Sequence, residues 1–199
     1  MASLLVKGLG VAVGSAFLEN KYAPTFAATG VGSMLPGSPL FVATPLVLSG
    51  VGIYAFFYGF MVVGQGRNAA IEAAKKDGEK DVDERYGLPN LYAQGTSKHV
   101  KTFNCKQRSH QQIFETYTFI CVTSTLAALT FPLSSLVTTT MYAVGRIALT
   151  NGYGKTEGDA SKRYSSPVAS WTWMGIFASF CLSTASCVSI LSNITIVQE

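Results

Sequence analysis

Long apolar runs without charge are separated along this chain by segments that hold most of the charged residues. No charged residue occurs from Tyr22 to Gly66 or from Pro167 to Gln198. A helix crosses a bilayer with about 20 apolar residues, so each of these runs is long enough. Two shorter apolar segments lie between them and meet at Phe131 and Pro132, where proline ends one helix and begins the next. The pattern predicts an all-α membrane protein, an up-down bundle whose transmembrane helices cover about 41–64, 111–131, 132–153 and 167–196.

The segments outside these spans differ in composition. Residues 1–40 are rich in Gly, Ala and Ser and are predicted to be an unassigned N-terminal extension of the helical domain 41–199. Termini of this kind are usually disordered unless a contact orders them. The residues after Gly66 are good helix formers and are expected to prolong the first span into solvent. The charged, glycine-containing stretch 77–87 is expected to be a loop.

Charge sets the expected orientation. Hydrophobic residues make up 48% of the chain and charged residues only 13%, which excludes an ordinary soluble domain and makes membrane lipid the first partner. Most Lys and Arg residues fall within 66–110 and 154–166. Both loops are therefore expected on the cytoplasmic side, or its topological equivalent, with both termini and the Pro132 turn opposite. Acidic residues in the longer loop keep its net charge modest, so no nucleic-acid partner is expected.

A polar stripe marks the start of the second predicted span. Asn104, Arg108, Gln111, Gln112 and Glu115 are spaced so that they share one face of a helix. A charged side chain costs about 2.5–3.5 kcal/mol at the centre of a membrane helix, so such groups normally face a bundle interior or a wet cavity. The stripe predicts a binding surface between helices. The alternative is a helix end whose long side chains reach the membrane interface.

Arg146 lies within the third predicted span, where an unpaired cation is costly. Pairing with Glu115 would satisfy both groups. Two interpretations stay open, a buried ion pair that fixes helix register and a part of the binding pocket. No metal site is expected, because His99 and His110 lie in no metal-binding motif and the four cysteines show no CxxC spacing.

The run Phe-Asn-Cys-Lys-Gln-Arg-Ser-His-Gln-Gln, which begins at Phe103, is fairly specific. Together with Glu115, Gly145-Arg146, Gly152-Tyr153 and Ser161-Lys162-Arg163, it resembles the membrane-associated eicosanoid and glutathione metabolism (MAPEG) family. The resemblance covers about 41–190 and is greatest to the microsomal glutathione transferase type 3 branch. It implies a four-helix subunit, a homotrimer, and glutathione held as co-substrate between neighbouring subunits near the cytosolic face.

The resemblance also implies residue roles. Arg108 would bind a glutathione carboxylate, as a bidentate guanidinium can. His110 and Gln112 fall where the family holds the peptide backbone of glutathione. Glu115 matches the glutamate that pairs with the glutathione amino group, and Tyr153 matches a tyrosine late in the third helix.

Two further arginines carry over by position, and Arg146 joins them in the predicted glutathione pocket. Arg67 matches an arginine at the end of the first family helix. Arg163 falls where the family places the arginine that stabilises the thiolate, and it is the predicted catalytic residue. A thiol with an ordinary pKa of about 8.5 becomes a better nucleophile beside a cation that lowers this pKa.

Three departures from the family pattern leave two hypotheses open. Gln112 stands where the family favours asparagine, Leu149 replaces a tyrosine, and Thr116 replaces a residue that is often aromatic. The first hypothesis is a membrane glutathione transferase or peroxidase that acts on lipophilic electrophiles or lipid hydroperoxides. The second is a catalytically degenerate accessory subunit of a larger organellar membrane complex. The expected location is the endoplasmic reticulum or a mitochondrial or plastid membrane.

Overall fold

The computed structural model describes residues 2–28 and 39–197, with side chains over 2–22 and 40–192, and every regular element in these ranges is a helix. The all-α prediction is therefore confirmed. The elements, in chain order, are α1 (Ala2–Ala28), α2 (Pro39–Tyr58), a π-helical turn (Gly59–Gly64), α3 (Gln65–Lys76), α4 (Val82–Tyr86), α5 (Lys98–Ala128), α6 (Pro132–Gly154), two 3-10 turns (Ala160–Tyr164 and Pro167–Ser170) and α7 (Trp171–Val197).

Three stretches of helix in the described residues are long and apolar enough to cross a membrane. They are Ala2–Tyr22, Leu40–Lys76 and Pro167–Ser192. The second and third correspond to the first and last predicted spans, and the second includes the expected extension beyond Gly66. The first lies in the segment that the sequence left unassigned. The predicted count of four spans stays a prediction, because α5 and α6 are not among these stretches.

The boundary between α5 and α6 follows the proline signal. Helix α5 ends at Ala128, and α6 begins with Pro132 as its first residue. At its other end, α5 begins at Lys98, well before the predicted span, with the Ser97 side chain accepting a hydrogen bond from the Val100 amide. The stretch 77–87, expected to be a loop, contains the short helix α4.

Hydrogen bonds between helices give their relative directions. Helix α2 runs antiparallel to α5, because Tyr117 donates to the carbonyl of Leu48 whereas His110 contacts the carbonyl of Ala55. Helix α7 runs antiparallel to α6, since Ser179 bonds to Thr138 and later residues of α7 reach the α5–α6 turn. The bundle thus has a loop end, which carries 77–97 and 155–166, and a turn end at Pro132.

Helix α1 packs on α7 and runs parallel to it. A Cβ at Gly8 would lie 3.1 Å from the carbonyl oxygen of Met174, a closeness that favours glycine. One turn further, Ala12 is buried with Ala178. The Glu19 carboxylate then reaches the start of α6 at the turn end. Helix α1 therefore begins at the loop end, and the predicted placement of the N-terminus at the turn end is wrong.

Hydroxyl groups fill the contact between α5, α6 and α7. Thr139 donates to Ser124, whose carbonyl accepts from Ser135, and Ser179 donates to Thr138. All five side chains are fully buried. Small residues that exchange hydrogen bonds let membrane helices approach closely. This packing makes α5, α6 and α7 a firm support for the side chains at the loop end.

Candidate functional site

A cavity of about 360 Å³ opens at the loop end of the bundle, and we call it the polar cavity. Helix α5 contributes Asn104 and Arg108, α6 contributes Tyr153, and the loop after α4 contributes Tyr92. Its volume lies in the range of small-molecule sites. Arg108 and Tyr153 were both singled out from the sequence, and the fold brings them to the same cavity.

Arg108 forms an ion pair with Glu115 along α5. The guanidinium Nη1 and the carboxylate Oε1 are 2.5 Å apart, and both side chains are about two-fifths exposed. The hydrogen bond to Glu115 holds the pKa of Arg108 above its ordinary value. A guanidinium has five N–H donors, so Arg108 can hold Glu115 and still offer donors to the cavity.

Arg163 lies beside Tyr153 on the 3-10 turn that follows α6. Its guanidinium carbon is 5.8 Å from the ring centre of Tyr153 and 5.2 Å from that of Tyr164, while Nη1 donates to the Ala160 carbonyl at 2.8 Å. Gly152 allows this approach, since a Cβ there would lie 2.2 Å from the Arg163 carbonyl oxygen. A cation thus lies against an aromatic ring that lines the polar cavity.

The loop between α4 and α5 is fastened over the polar cavity. Asn104 accepts from the Ala93 amide at 2.9 Å and donates to the Ala93 carbonyl at 3.0 Å. The Tyr92 hydroxyl donates to Gln111. Two polar residues of the predicted stripe therefore hold the loop. Tyr92 was missed by the sequence analysis, and its only signal there was an aromatic residue in a polar segment.

Arg67 holds the same loop from the other side. It donates to the carbonyls of Tyr86 and Leu91 at 2.5 and 3.2 Å, and its guanidinium carbon lies 4.6 Å from the ring centre of Phe103. It is not among the residues that line the polar cavity. Its contacts within this chain are structural, and a role toward glutathione stays a prediction.

His110 contacts α2 rather than lining the polar cavity. Its Nε2 lies 3.1 Å from the carbonyl oxygen of Ala55, next to the π-helical turn that begins at Gly59. The ring also meets Phe114 edge to face, with ring centres 5.0 Å apart. Within this chain His110 serves the contact between α2 and α5.

Arg146 is fully buried and does not pair with Glu115, so the predicted ion pair is wrong. Its Nη2 donates to the Thr116 hydroxyl at 3.0 Å, whereas Glu115 is held by Arg108. The rings of Tyr142 and Trp173 lie 5.5 and 5.9 Å from the guanidinium carbon.

Several buried polar atoms near this contact lack partners. Within the described residues, Nε and Nη1 of Arg146 and Oε1 of Gln112 have no hydrogen-bond partner. An unpaired polar atom in a membrane interior is costly. Neither Gln112 nor Arg146 is among the residues that line the polar cavity.

Leu149 is the position at which the resemblance implied a tyrosine in relatives. It is 1% exposed and packs with Cys105, Tyr153 and Ala169. Instead of offering a hydroxyl, it supports Tyr153 from inside the bundle.

Comparison with known proteins identifies the family. Residues 42–185 match the model of the MAPEG family, and the chain therefore belongs to this family. No curated protein and no solved structure matches the chain. The match begins in α2 and ends in α7, so α1 lies outside it. Family membership and the three long apolar stretches of helix together make the chain an integral membrane protein.

Proposed function

We propose that this MAPEG-family chain is a membrane glutathione transferase or peroxidase of the type 3 branch. It would bind glutathione in the polar cavity and activate the thiol toward lipophilic electrophiles or lipid hydroperoxides. One observation carries this proposal. Arg108 and Tyr153 line the same cavity, and the Arg163 guanidinium lies against the Tyr153 ring.

The Arg108–Glu115 pair suits the zwitterionic end of glutathione. That end carries a carboxylate and an ammonium group on one carbon, the mirror of a guanidinium beside a carboxylate. Arg108 would hold the glutathione carboxylate and Glu115 its ammonium group. The unpartnered Oε1 of Gln112 would accept from a peptide N–H of glutathione, with Arg146 close to the same part of α5.

Arg163 and Tyr153 would act on the sulfur. A cation and a phenol hydroxyl both stabilise a thiolate more than a thiol, which raises the fraction of the nucleophilic form. The thiolate would attack an electrophilic carbon, forming a C–S bond while the bonding pair leaves with the displaced group. With a hydroperoxide, two glutathione molecules would give one alcohol, one water and one glutathione disulfide.

We further propose a homotrimer in the endoplasmic reticulum or an organellar membrane. Helix α2 and the π-helical turn that follows it present large exposed apolar side chains, namely Ile53, Phe56 and Phe57 of α2 and Phe60 of the turn. Such a surface suits contact with lipid or with a neighbouring subunit. A shared glutathione site would then give Arg67 and His110 a place near the ligand of an adjacent subunit.

A second candidate function is a catalytically degenerate subunit of a larger organellar membrane complex. Two observations favour it. Leu149, for which the resemblance implies a tyrosine in relatives, is packed in the core, and Arg67 and His110 are engaged in contacts that hold the fold together. In this case the polar cavity would be a remnant of the family site.

Glutathione binding and thiolate absorbance in the ultraviolet decide between these functions. For the purified protein we expect a calorimetric binding signal and a thiolate band on addition of glutathione. Arg108→Ala should abolish binding, whereas Lys106→Ala, a cation on the same helix outside the cavity, should preserve it. An assembled protein with neither signal would overturn the enzyme and favour the accessory subunit.

A further inference from the structure

A cleft lined by cations lies between α3 and α5 at the loop end, and we call it the basic cleft. Its volume is about 230 Å³. This is below the usual range of about 300–1,000 Å³ for drug-sized ligands, so the cleft suits a smaller chemical group. It is separate from the polar cavity, because no described residue lines both.

The α3 wall of the basic cleft is made of small residues. Gly66, Ala69, Ala70 and Ala73 carry nothing larger than a methyl group. Such a wall leaves room for a ligand and lets the side chains of α5 approach α3. Lys106 shows this approach, since a Cβ at Gly66 would lie 3.0 Å from its Cδ and 3.5 Å from its Nζ. The ammonium group of Lys106 therefore lies close to α3.

The α5 wall supplies hydrogen-bond donors and positive charge. Lys98, Thr102 and Lys106 are spaced four residues apart, so they lie along one face of the helix. Their two ammonium groups and one hydroxyl can all donate to an anionic oxygen. His99 is also on this wall, and no acidic residue is among the described residues that line the cleft.

Lys106 has no carboxylate partner in the described part of the chain. None of the ion pairs found there includes it. Lys98 does pair with Glu157 at 3.1 Å, but the side chains are 71% and 78% exposed. Exposed ion pairs are weak, so Lys98 can turn to another anion.

The acidic residues nearest to the cleft are already engaged. The carboxylates of Asp77 and Glu79 lie 2.9 and 3.8 Å from Nε2 of His99. Glu79 also pairs with Arg85 at 3.0 Å. Because neither carboxylate lines the cleft, the positive charge of its α5 wall is open to an external anion.

We infer that the basic cleft binds a phosphate group, held by Lys106, Lys98 and the Thr102 hydroxyl. Two cations and a hydroxyl match the several acceptor oxygens of this tetrahedral anion. Basic pockets between membrane helices bind phosphate-bearing lipid head groups, and the π-helical turn before α3 exposes Phe60 and Met61 to acyl chains. Free phosphate supplies the same chemistry. The binding needs neither glutathione nor turnover, so it is independent of the proposed function.

Two arms of one experiment separate the lipid head group from free phosphate. In the first arm, purified protein in an uncharged detergent is dialysed to equilibrium against radiolabelled inorganic phosphate. In the second, the protein is reconstituted in nanodiscs of phosphatidylcholine that contain phosphatidylglycerol, and native mass spectrometry counts the phosphatidylglycerol retained after extraction. We expect saturable binding in at least one arm. Binding in the second arm alone assigns the site to a lipid head group, whereas binding in the first shows that the phosphate group is sufficient.

Three variants test the assigned residues. Lys106→Gln removes the unpaired charge and should weaken binding by about tenfold or more, because hydrogen bonds to charged groups are the stronger ones. The matched control is Lys76→Gln, which removes an exposed cation of α3 outside the cleft and should leave binding nearly unchanged. Ala73→Leu keeps every charge but fills the small-residue wall, and it should also weaken binding.

Equal binding by the unchanged chain, Lys106→Gln and Lys76→Gln would overturn the site, and so would the absence of binding in both arms. Circular dichroism shows whether each variant is assembled. If Lys106→Gln fails to assemble, the comparison of Ala73→Leu with Lys76→Gln decides in its place. Lost phosphate binding with retained glutathione binding in Lys106→Gln would show that the basic cleft and the polar cavity are separate sites.

Discussion

Glu19 in α1 accepts two hydrogen bonds from Ser134 at the start of α6, one from its amide at 2.9 Å and one from its hydroxyl at 2.5 Å. The other carboxylate oxygen accepts from the Leu133 amide at 2.8 Å. Phe131, the residue before the helix, provides no side-chain cap, and Pro132 has no N–H to satisfy. The first free donors of α6 are therefore capped by a residue from another helix.

This cap predicts that α1 stabilises the whole bundle. Glu19→Ala leaves two amides and a hydroxyl without an acceptor in an apolar setting, so the free energy of unfolding should fall by about 2–4 kcal/mol. Glu19→Gln retains one acceptor oxygen and should lose about half as much. Unfolding of the purified protein by a denaturing detergent, followed by circular dichroism, measures both changes.

The matched control is Glu72→Ala, which removes an exposed carboxylate from α3. It should change the free energy of unfolding by no more than about 0.5 kcal/mol. Equal stability of Glu19→Ala and Glu72→Ala would mean that α1 is held by its apolar contacts with α7 alone.

The direction of α1 predicts which positions share a side of the membrane. Cysteines introduced at Ser3, Lys80 and Ala160 should react alike with an impermeant reagent, because all three lie at the loop end. A cysteine at Leu129, at the turn end, should show the opposite accessibility. The measurement uses sealed vesicles and a background in which the four native cysteines are replaced. Labelling of position 3 together with position 129 would show that α1 does not cross the membrane with α7.

Local signals explain what could be predicted of the fold. Pro132 determines where α6 begins, and its effect needs no information from the rest of the chain. Helix α1 was missed because Gly, Ala and Ser occur both in disordered termini and in helices that pack closely in membranes. Its anchor, Glu19, bonds to a residue 115 positions away, and no spacing rule connects them.

The same distinction applies to the candidate site. The spacing within α5 placed Arg108 on one face with Glu115, and these residues do form a pair. The expected pairing of Arg146 with Glu115 was wrong because neighbouring residues on a helix point about 100° apart. Arg146 packs on the face that carries Thr116, so it meets that hydroxyl and not the carboxylate next to it. The spacing in the sequence shows which residues share a helix face. It does not show which face packs against the neighbouring helix.

Arg146 is predicted to contribute little to stability. Two of its nitrogens lack hydrogen-bond partners in the described part of the chain, and a buried, incompletely bonded cation is costly. Arg146→Met, of similar length, should therefore leave the free energy of unfolding unchanged or raise it by about 1 kcal/mol. Detergent unfolding measures this change, and calorimetry with glutathione on the same variant tests the pocket role.

The conservative variant Arg146→Lys serves as the control, because it keeps the charge but cannot reach Thr116 in the same way. A loss of more than about 2 kcal/mol in Arg146→Met would show that the bond to Thr116 holds α5 and α6 together. Unchanged stability with lost glutathione binding would place Arg146 in the pocket.

The loop before α5 is predicted to loosen in acid. Burial would raise the pKa of Glu79, but hydrogen bonds from Tyr86 and Ser97 and the charge of Arg85 outweigh this and hold the pKa below its ordinary value. A lowered pKa gives stability that is present above the unfolded pKa, near 4.5, and is lost as pH falls through the folded pKa.

Hydrogen exchange of residues 77–97, corrected for intrinsic rates, should therefore show protection at pH 6 that declines below about pH 4. Glu79→Gln removes the titrating group and should flatten this decline, while Glu84→Gln, which is exposed, should not. The same decline in both variants would assign the acid sensitivity to another group.

The last prediction concerns turnover. If Arg163 stabilises the glutathione thiolate, Arg163→Ala should lower kcat by about 10–100-fold and leave glutathione affinity nearly unchanged, because the lost interaction is made mainly with the developing charge. Lys162→Ala removes the neighbouring exposed cation and should have little effect, and Arg163→Lys should recover part of the rate. Single-turnover kinetics with a lipophilic electrophile, together with thiolate absorbance, separates the chemical step from binding. Loss of glutathione affinity with an unchanged chemical step would instead make Arg163 a binding residue. Equal rates in the Arg163→Ala and Lys162→Ala variants would mean that another group stabilises the thiolate. Tyr153 and Arg108 would then be the next residues to test.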